Sequence, residues 1–257
     1  MNGKNIVASA YVTTNGAALK AVNPASGAIL DGEFSKASEL EVNEALKSAT
    51  EAFKLYRNLN KDKKATFLNT IADEIAALGD KLVNRAAAES GLPLPRLQGE
   101  LGRTTGQLRL FANLISEGSW VDAIIDTAQP ERQPLPKSDI RRMLIPIGPV
   151  VVFGASNFPL AFSVAGGDTA SALASGCPVV VKAHPAHYGT SALVAGAIIK
   201  AVEKTEMPKG IFSMLYDDGY TIGAALVKHS LTKAVTFTGS FKGGMALVTL
   251  AQDRENP

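Results

Sequence analysis

The sequence predicts an α/β fold, a doubly wound parallel sheet preceded by a layer of helices. Two observations carry this prediction. From about residue 150 to 252, four short apolar runs each precede a stretch with helical spacing. Before them, residues 38–117 repeat apolar positions at intervals of three and four. Strands that alternate with helices are typical of a parallel sheet covered on both faces.

The first 131 residues form the predicted helical part. The opening 35 residues suggest short strands and turns, with "NPASG" at 23–27 as a turn. Helices are expected at 38–59, 62–78, 80–90 and 96–117. Ser38 and Glu41 have the spacing of a capping box at the first helix.

Residues 132–149 are predicted to be extended. Four prolines between positions 130 and 146 exclude a helix. Within this segment, "DIRRMLIPI" favours an exposed strand that pairs with another element or another subunit.

Residues 150–257 form the predicted sheet and its helices. We expect strands at 150–154, 178–183, 211–215 and 234–238, and helices at 160–175, 189–204, 220–229 and 241–252. Ligands bind outside the carboxyl ends of the strands in such sheets. This rule directs attention to residues 154–157, 182–185, 216–219 and 238–244.

Composition excludes several function classes. The net charge of +2 without charged blocks gives no support for nucleic-acid or membrane-surface binding. No apolar run is long enough to span a membrane, and the N-terminus lacks a signal-peptide pattern. The single cysteine, Cys177, rules out an internal disulfide and fits a reducing, cytoplasmic location. We expect no metal site, because Pro185 separates His184 from His187.

The predicted strand ends carry candidate binding residues, each with a plain alternative. In "FTGSFKGG", Gly239, Ser240 and Gly244 at a helix start would bind a pyrophosphate, or serve only a tight turn. Lys182 would bind ribose hydroxyls or phosphate, or be solvated. Two further glycines would admit a nucleotide or serve packing, Gly219 and Gly223.

Other reactive side chains are given structural roles. Cys177 precedes a strand at the amino end of the sheet with no base nearby, which argues against a nucleophile. Asp168, Asp217 and Asp218 are expected to be solvated or capping carboxylates. Asn157 is given no such structural role. An amide without a hydrogen-bond partner is costly to bury, so its place at a strand end indicates that it serves a binding partner.

Four segments together resemble the aldehyde dehydrogenase superfamily. They are "PIGPVVVFGASNFPLAF", "ALASGCPVVVKAHP", "MPKGIFSML" and "VTFTGSFKGG", in the family's order and spacing. Residues 88–120 further resemble the branch of α-ketoglutarate semialdehyde (2,5-dioxovalerate) dehydrogenases and NADP-linked fatty aldehyde dehydrogenases, the former more closely. The resemblance implies a Rossmann-like cofactor-binding core at 150–257, an oligomerisation segment at 132–149, and assembly into a dimer or tetramer.

The resemblance also implies residue roles. Asn157 would donate to the oxyanion of a thiohemiacetal, and Phe158 would line the substrate tunnel. Lys182 would bind the adenosine ribose, and Thr238 would lie near the nicotinamide. The remaining cofactor contacts would come from Gly154, Ala155, Ser156, Gly219, Gly223, Gly239, Ser240 and Gly244.

Pro185 departs from the family pattern. NAD-preferring members have a glutamate at this position, and a carboxylate there would repel a 2′-phosphate. The sequence therefore predicts that the cofactor is NADP or NAD, with NADP tolerated or preferred. Arg103 and Gln107 are four apart on one helix face and would face the substrate, where Arg103 could pair with a carboxylate, or with a surface or subunit partner.

The family's nucleophilic cysteine and general-base glutamate lie C-terminal to the last matching motif. The sequence ends at Pro257, before both, so we expect it to be the cofactor half of the enzyme, without the catalytic domain and inactive in isolation. The resemblance implies that the complete enzyme catalyses NAD(P)-dependent oxidation of a small aldehyde, α-ketoglutarate semialdehyde (2,5-dioxovalerate), to its acid through a cysteine thiohemiacetal. The alternatives are a fragment that only binds nucleotide or pairs subunits, and a phosphorylating or CoA-acylating relative.

Overall fold

The structure, a computed structural model, describes residues 2–254. Its strands in chain order are β1 (Asn5–Val7), β2 (Ala10–Val12), β3 (Ala18–Val22), β4 (Ile29–Ser35), β5 (Ile124–Asp126), β6 (Ile140–Arg142), β7 (Val150–Phe153), β8 (Val179–Lys182), β9 (Phe212–Leu215) and β10 (Ala234–Phe237). Its helices are α1 (Glu39–Tyr56), α2 (Lys61–Ala76), α3 (Gly79–Ser90), α4 (Leu94–Glu117), α5 (Gly167–Ser175), α6 (Tyr188–Lys204), α7 (Thr221–Lys228) and α8 (Phe241–Gln252). The last three residues of the predicted core range 150–257 lie outside the described residues.

The central sheet has six strands in the order β10-β7-β8-β9-β1-β2, and the four strands β7 to β10 run parallel. Valine-rich runs form β7 and β8, and both are almost wholly buried. Fully buried strands of this kind need continuous apolar sequence rather than alternation. The predicted α/β fold with a parallel sheet is confirmed.

Helices cover both faces of this sheet. Alternate side chains of each strand point to opposite faces. Val150 and Val152 pack with α2, α4, α5 and α6, whereas Val151 and Phe153 pack with α1 and α7. The sheet is therefore doubly wound, as the sequence predicts.

Two features of the fold differ from the sequence expectation. Helix α5 begins at Gly167, not at residue 160, and residues 154–166 form a loop. The backbone N–H groups of Leu160 and Ala161 bond to the side chain of Glu100 rather than to a helix. In addition, β1 pairs antiparallel with β9, so β1 and β2 extend the central sheet, which was not predicted from the sequence.

The remaining helices agree with the prediction to within a few residues. The capping box at α1 is confirmed, since Ser38 accepts from Leu40 N–H and the Glu41 carboxylate accepts from Ser38 N–H at 2.7 Å. No helix within residues 2–254 is long and apolar enough to cross a membrane.

A buried carboxylate joins α3 to the start of α6. Glu89 accepts bonds from the backbone N–H of Gly189, the N–H of Thr190 and the hydroxyl of Thr190, all at 2.7 Å. It also accepts from the Arg85 guanidinium at 2.9 Å. A carboxylate at the N-terminus of a helix satisfies its free N–H groups and its dipole.

Strands β5 and β6 form an antiparallel hairpin outside the central sheet. β5 lies just before the segment predicted to be extended, and β6 lies within it. The surface around it is strongly apolar and exposed, through Ile125, Leu135, Ile140, Met143, Leu144, Ile145 and Ile147. At the opposite end of the chain, β10 is an edge strand with four half-buried residues, and α8 has no buried residue.

Candidate functional site

The sequence-predicted site residues lie at the carboxyl edge of the parallel strands. The register pairs Phe153 with both Lys182 and Phe237, so β7, β8 and β10 end at the same level. The loops after these strands therefore meet along one edge, around the point where the strand order reverses at β7.

The loop after β7 presents Asn157. Ala155 N–H donates to the carbonyl of Phe162 at 2.8 Å, and a Cβ built on Gly154 would lie only 2.8 Å from Ser163 Cα. Gly154 therefore allows this loop to fold back on itself. Ser156 and Asn157 are exposed at its tip.

Helix α4 packs against this loop through two charged residues. Arg96 Nη2 donates to the backbone carbonyl of Asn157 at 2.7 Å, and its guanidinium lies 4.7 Å from the centre of the Phe158 ring. Glu100 Oε2 accepts from Leu160 N–H at 3.1 Å and from Ala161 N–H at 3.3 Å. Arg96 Nε and Glu100 Oε1 are 3.6 Å apart.

Arg103 and Gln107 lie further along α4 and face the same loop. The Arg103 guanidinium is 4.7 Å from the centre of the Phe162 ring, and Gln107 packs on Gly167 at the start of α5. Gln107 Oε1 is buried without a hydrogen-bond partner among the described residues. Both side chains are on one helix face, which fits the predicted spacing, although each also has a packing role.

The ends of β8 and β9 bring four charged groups together. Burial lowers the pKa of Lys182, and the nearby carboxylates of Asp217 and Asp218 oppose this shift. Lys36 Nζ pairs with Asp218 at 2.6 Å and with the buried Asp217 at 3.3 Å. The Lys182 ammonium is therefore partly desolvated and next to a balanced set of charges.

Pro185 is exposed at the start of a short 3-10 turn after β8. The His184 side chain precedes it and accepts from Ala186 N–H at 3.1 Å, and burial lowers the pKa of His184 to about 4. His187 is fully buried and lies 3.0 Å from the carbonyl of Ala155, which ties the β8 turn to the Asn157 loop. Residues 2–254 contain no cluster of three potential metal ligands.

The turn after β10 carries Thr238, Gly239 and Ser240. Thr238 donates to Asp168 Oδ2 at 3.1 Å, so Asp168 links the start of α5 to the end of β10. Ser240 caps α8 by accepting from Gly243 N–H at 3.2 Å. The other N–H groups in the first turn of a helix lack intrahelical partners, which is what an anion site requires.

The glycines of this turn also have a packing reason. A Cβ on Gly239 would lie 2.5 Å from the Phe237 ring, and one on Gly243 would lie 2.9 Å from it. Gly223 likewise leaves only 3.1 Å for a Cβ beside the Phe153 ring. Gly219 and Gly244 have more room, so packing accounts for them less well.

Sequence reasoning did not single out Arg96, Glu100 or Lys36, and it considered His187 only as a metal ligand. Glu100 carried a signal, since it lies on the apolar stripe of α4 between Leu97 and Thr104 and is itself 4% exposed. A charged residue on a buried face indicates a fixed partner. The partners lie 60 residues away and are set by the tertiary fold.

The fold is an α/β domain with a doubly wound sheet, and the candidate residues lie together at the carboxyl edge of its parallel strands. The family model "Aldehyde dehydrogenase family" matches residues 11–256. The chain belongs to the aldehyde dehydrogenase family, which confirms the resemblance seen in its motifs.

Two curated relatives are especially similar. The chain is 55% identical over its whole length to alpha-ketoglutaric semialdehyde dehydrogenase 2 of Azospirillum brasilense, and covers 49% of that protein. It is 50% identical to alpha-ketoglutaric semialdehyde dehydrogenase of Acinetobacter baylyi, and covers 48% of it. The chain thus spans about half the length of the curated relatives it matches.

Among solved structures, HpcC from Thermus thermophilus is similar with a TM-score of 0.83 and 25% identity. The match covers 100% of this chain and 47% of that one.

Proposed function

We propose that this chain provides the cofactor-binding half of an NAD(P)-dependent aldehyde dehydrogenase. The observation that carries the proposal is the joint placement of Asn157, Lys182 and Ser240 at one edge of the sheet. Each is at a strand end that the family's motifs occupy, and each has a distinct chemistry: an amide donor, a cation and a helix N-terminus. The aldehyde substrate is α-ketoglutarate semialdehyde, as the names of the two relatives suggest.

In the proposed reaction, a cysteine thiolate from outside this chain attacks the aldehyde carbonyl. The exposed Asn157 amide donates to the oxygen on which negative charge develops. Phe158 lines the path to this point, and Arg103 pairs with the distal carboxylate of the substrate. A bound nicotinamide would supply the hydride acceptor that the oxidation needs, and hydrolysis of the resulting thioester would release the acid.

For the cofactor, the chain's own residues fit a dinucleotide. Ser240 and the free N–H groups of α8 hold the pyrophosphate, with Gly239 and Gly244 allowing its approach. Lys182 would hold the ribose, and Thr238 would lie near the nicotinamide. Ala155, Ser156 and Gly219 line the remainder of the crevice. Gly154 and Gly223 shape it by their close packing.

A second candidate function is pairing of subunits without catalysis by this half. The exposed apolar hairpin of β5 and β6 favours it, because such a surface is typical of protein interfaces. In the first proposal the same hairpin serves a homo-oligomer of the complete enzyme, in the cytoplasm.

A turnover measurement distinguishes the dehydrogenase function from the subunit-pairing function. We expect no NAD(P)H formation from the 257-residue chain with an aldehyde substrate, because its only cysteine is buried at the amino end of β8. A chimera in which this chain replaces the matching half of the Azospirillum brasilense enzyme should oxidise α-ketoglutarate semialdehyde. A folded, nucleotide-binding chimera without turnover would favour the pairing function, and turnover by the chain alone would contradict the proposed division of roles.

Nucleotide titration tests the proposed tolerance of NADP. The chain should bind NADPH at least as tightly as NADH, measured by nicotinamide fluorescence. Pro185→Glu should weaken NADPH binding by about tenfold, because a carboxylate would repel the 2′-phosphate. Pro185→Gln is the matched neutral control and should change little. Much tighter binding of NADH by the unaltered chain would contradict the prediction.

A further inference from the structure

We propose that Arg96 and Glu100 are positioning residues that clamp the turn 157–161 against α4 and thereby position the Asn157 amide. The inference rests on the proposed role of Asn157 as an oxyanion donor. It assigns to α4 a part in catalysis that the helix's position outside the sheet does not suggest.

The first half of the clamp is Glu100. Its carboxylate is buried, and burying a charged group is costly unless it is paired and hydrogen-bonded. Oε2 bonds two consecutive N–H groups, those of Leu160 and Ala161, at 3.1 and 3.3 Å. Two bonds from one oxygen to adjacent peptides fix the orientation of both peptide planes.

The second half is Arg96, one turn earlier on the helix. Its Nη2 bonds the carbonyl of Asn157 at 2.7 Å, and its guanidinium stacks on Phe158. Its Nε lies 3.6 Å from Glu100 Oε1, so the two residues also form an ion pair, although Oε1 has no hydrogen bond among the described residues. The turn is therefore fixed at its first residue and at its last two.

Little freedom remains between these points. Only Phe158 and Pro159 lie between Asn157 and Leu160, and the ring of Pro159 fixes its own φ. The bonds among residues 2–254 hold Asn157 through its backbone, by the carbonyl, and none holds its side-chain amide. The position from which that amide extends consequently depends on the backbone that Arg96 and Glu100 hold.

The placement of an oxyanion donor decides how much it accelerates the reaction. A hydrogen-bond donor accelerates a reaction only when it already points at the site of the developing charge. Displacing a reacting or stabilising group by about 1 Å can cost on the order of 10²-fold in rate. Loosening the clamp should therefore lower kcat without removing any group that touches substrate.

The test uses the full-length chimera with the Azospirillum brasilense half. Glu100→Gln keeps the shape but removes the charge, and Arg96→Met removes the donor. Each should lower kcat by about tenfold and leave the Kd of the nucleotide nearly unchanged. Arg109→Met is the matched control, because Arg109 is an exposed arginine of the same helix that pairs with Asp73 at 2.7 Å.

The deciding measurement is a double-mutant cycle with Asn157→Ala. If the clamp acts through Asn157, either clamp variant should cause no further loss of kcat once the amide is gone. An equal loss in both backgrounds, or no loss in the unaltered background, would overturn the inference. If Glu100→Gln does not fold, Arg96→Met decides alone, since the Arg96 side chain is 40% exposed. An unchanged kcat for Asn157→Ala itself would instead reject the proposed function.

Discussion

Replacing Asn157 by alanine in the chimeric enzyme is expected to lower kcat by about 10²–10³-fold. The amide lies at the exposed tip of the loop after β7, and its backbone is held by α4. Removing its N–H donor leaves the loop and its contacts in place. The loss should therefore fall on kcat, while the KM for the aldehyde and the Kd of the nucleotide change little.

Steady-state kinetics with purified variants measures this split. Asn58→Ala is the control, since Asn58 is an exposed asparagine whose side chain bonds only the Lys54 carbonyl among the described residues. It should leave kcat unchanged. A fall of less than about threefold for Asn157→Ala would be too small for a lost oxyanion donor and would contradict the assignment.

Replacing Glu89 by alanine is expected to lower the free energy of unfolding of the chain by about 3–5 kcal/mol. The carboxylate accepts three bonds from the start of α6 and one from Arg85, all within a buried region. Its loss leaves N–H groups of α6 unpaired and leaves the buried guanidinium with only the exposed Asp31 as an acidic partner among the described residues.

Urea unfolding followed by circular dichroism measures this change. Glu51→Ala is the control, because Glu51 forms an exposed pair with Lys54 and such pairs contribute about 0–1 kcal/mol. A loss below about 1 kcal/mol for Glu89→Ala would show that the cluster is not a net stabilising element.

The parallel core was predictable because its physical cause is local. Strands buried on both faces need continuous apolar runs, and those of β7 and β8 are visible as "PVVV" in the sequence. The start of α5 was not predictable, because residues 160 and 161 have helical spacing but give their N–H groups to Glu100. Glu100 belongs to α4, 60 residues earlier in the chain, so the sequence around α5 does not reveal these bonds.

The same distinction between local causes and long-range contacts applies to the candidate site. The types of Asn157, Lys182 and Ser240 and their places at strand ends could be inferred from motifs. What holds them could not, since it depends on contacts between distant segments: Arg96 on the Asn157 carbonyl, and Asp168 on Thr238. The ring of Phe237 below Gly239 likewise gives that glycine a packing cause that periodicity does not reveal.

The half-buried edge strand β10 has a consequence for handling the protein. Its outer row of peptide groups has no ladder partner within residues 2–254, and the adjoining α8 exposes Phe241, Met245 and Val248. An open edge next to apolar side chains is a template on which a further strand can add. Preparations that leave this edge uncovered should precipitate or form strand-mediated aggregates as their concentration rises, so colloidal behaviour reports on whether β10 is covered.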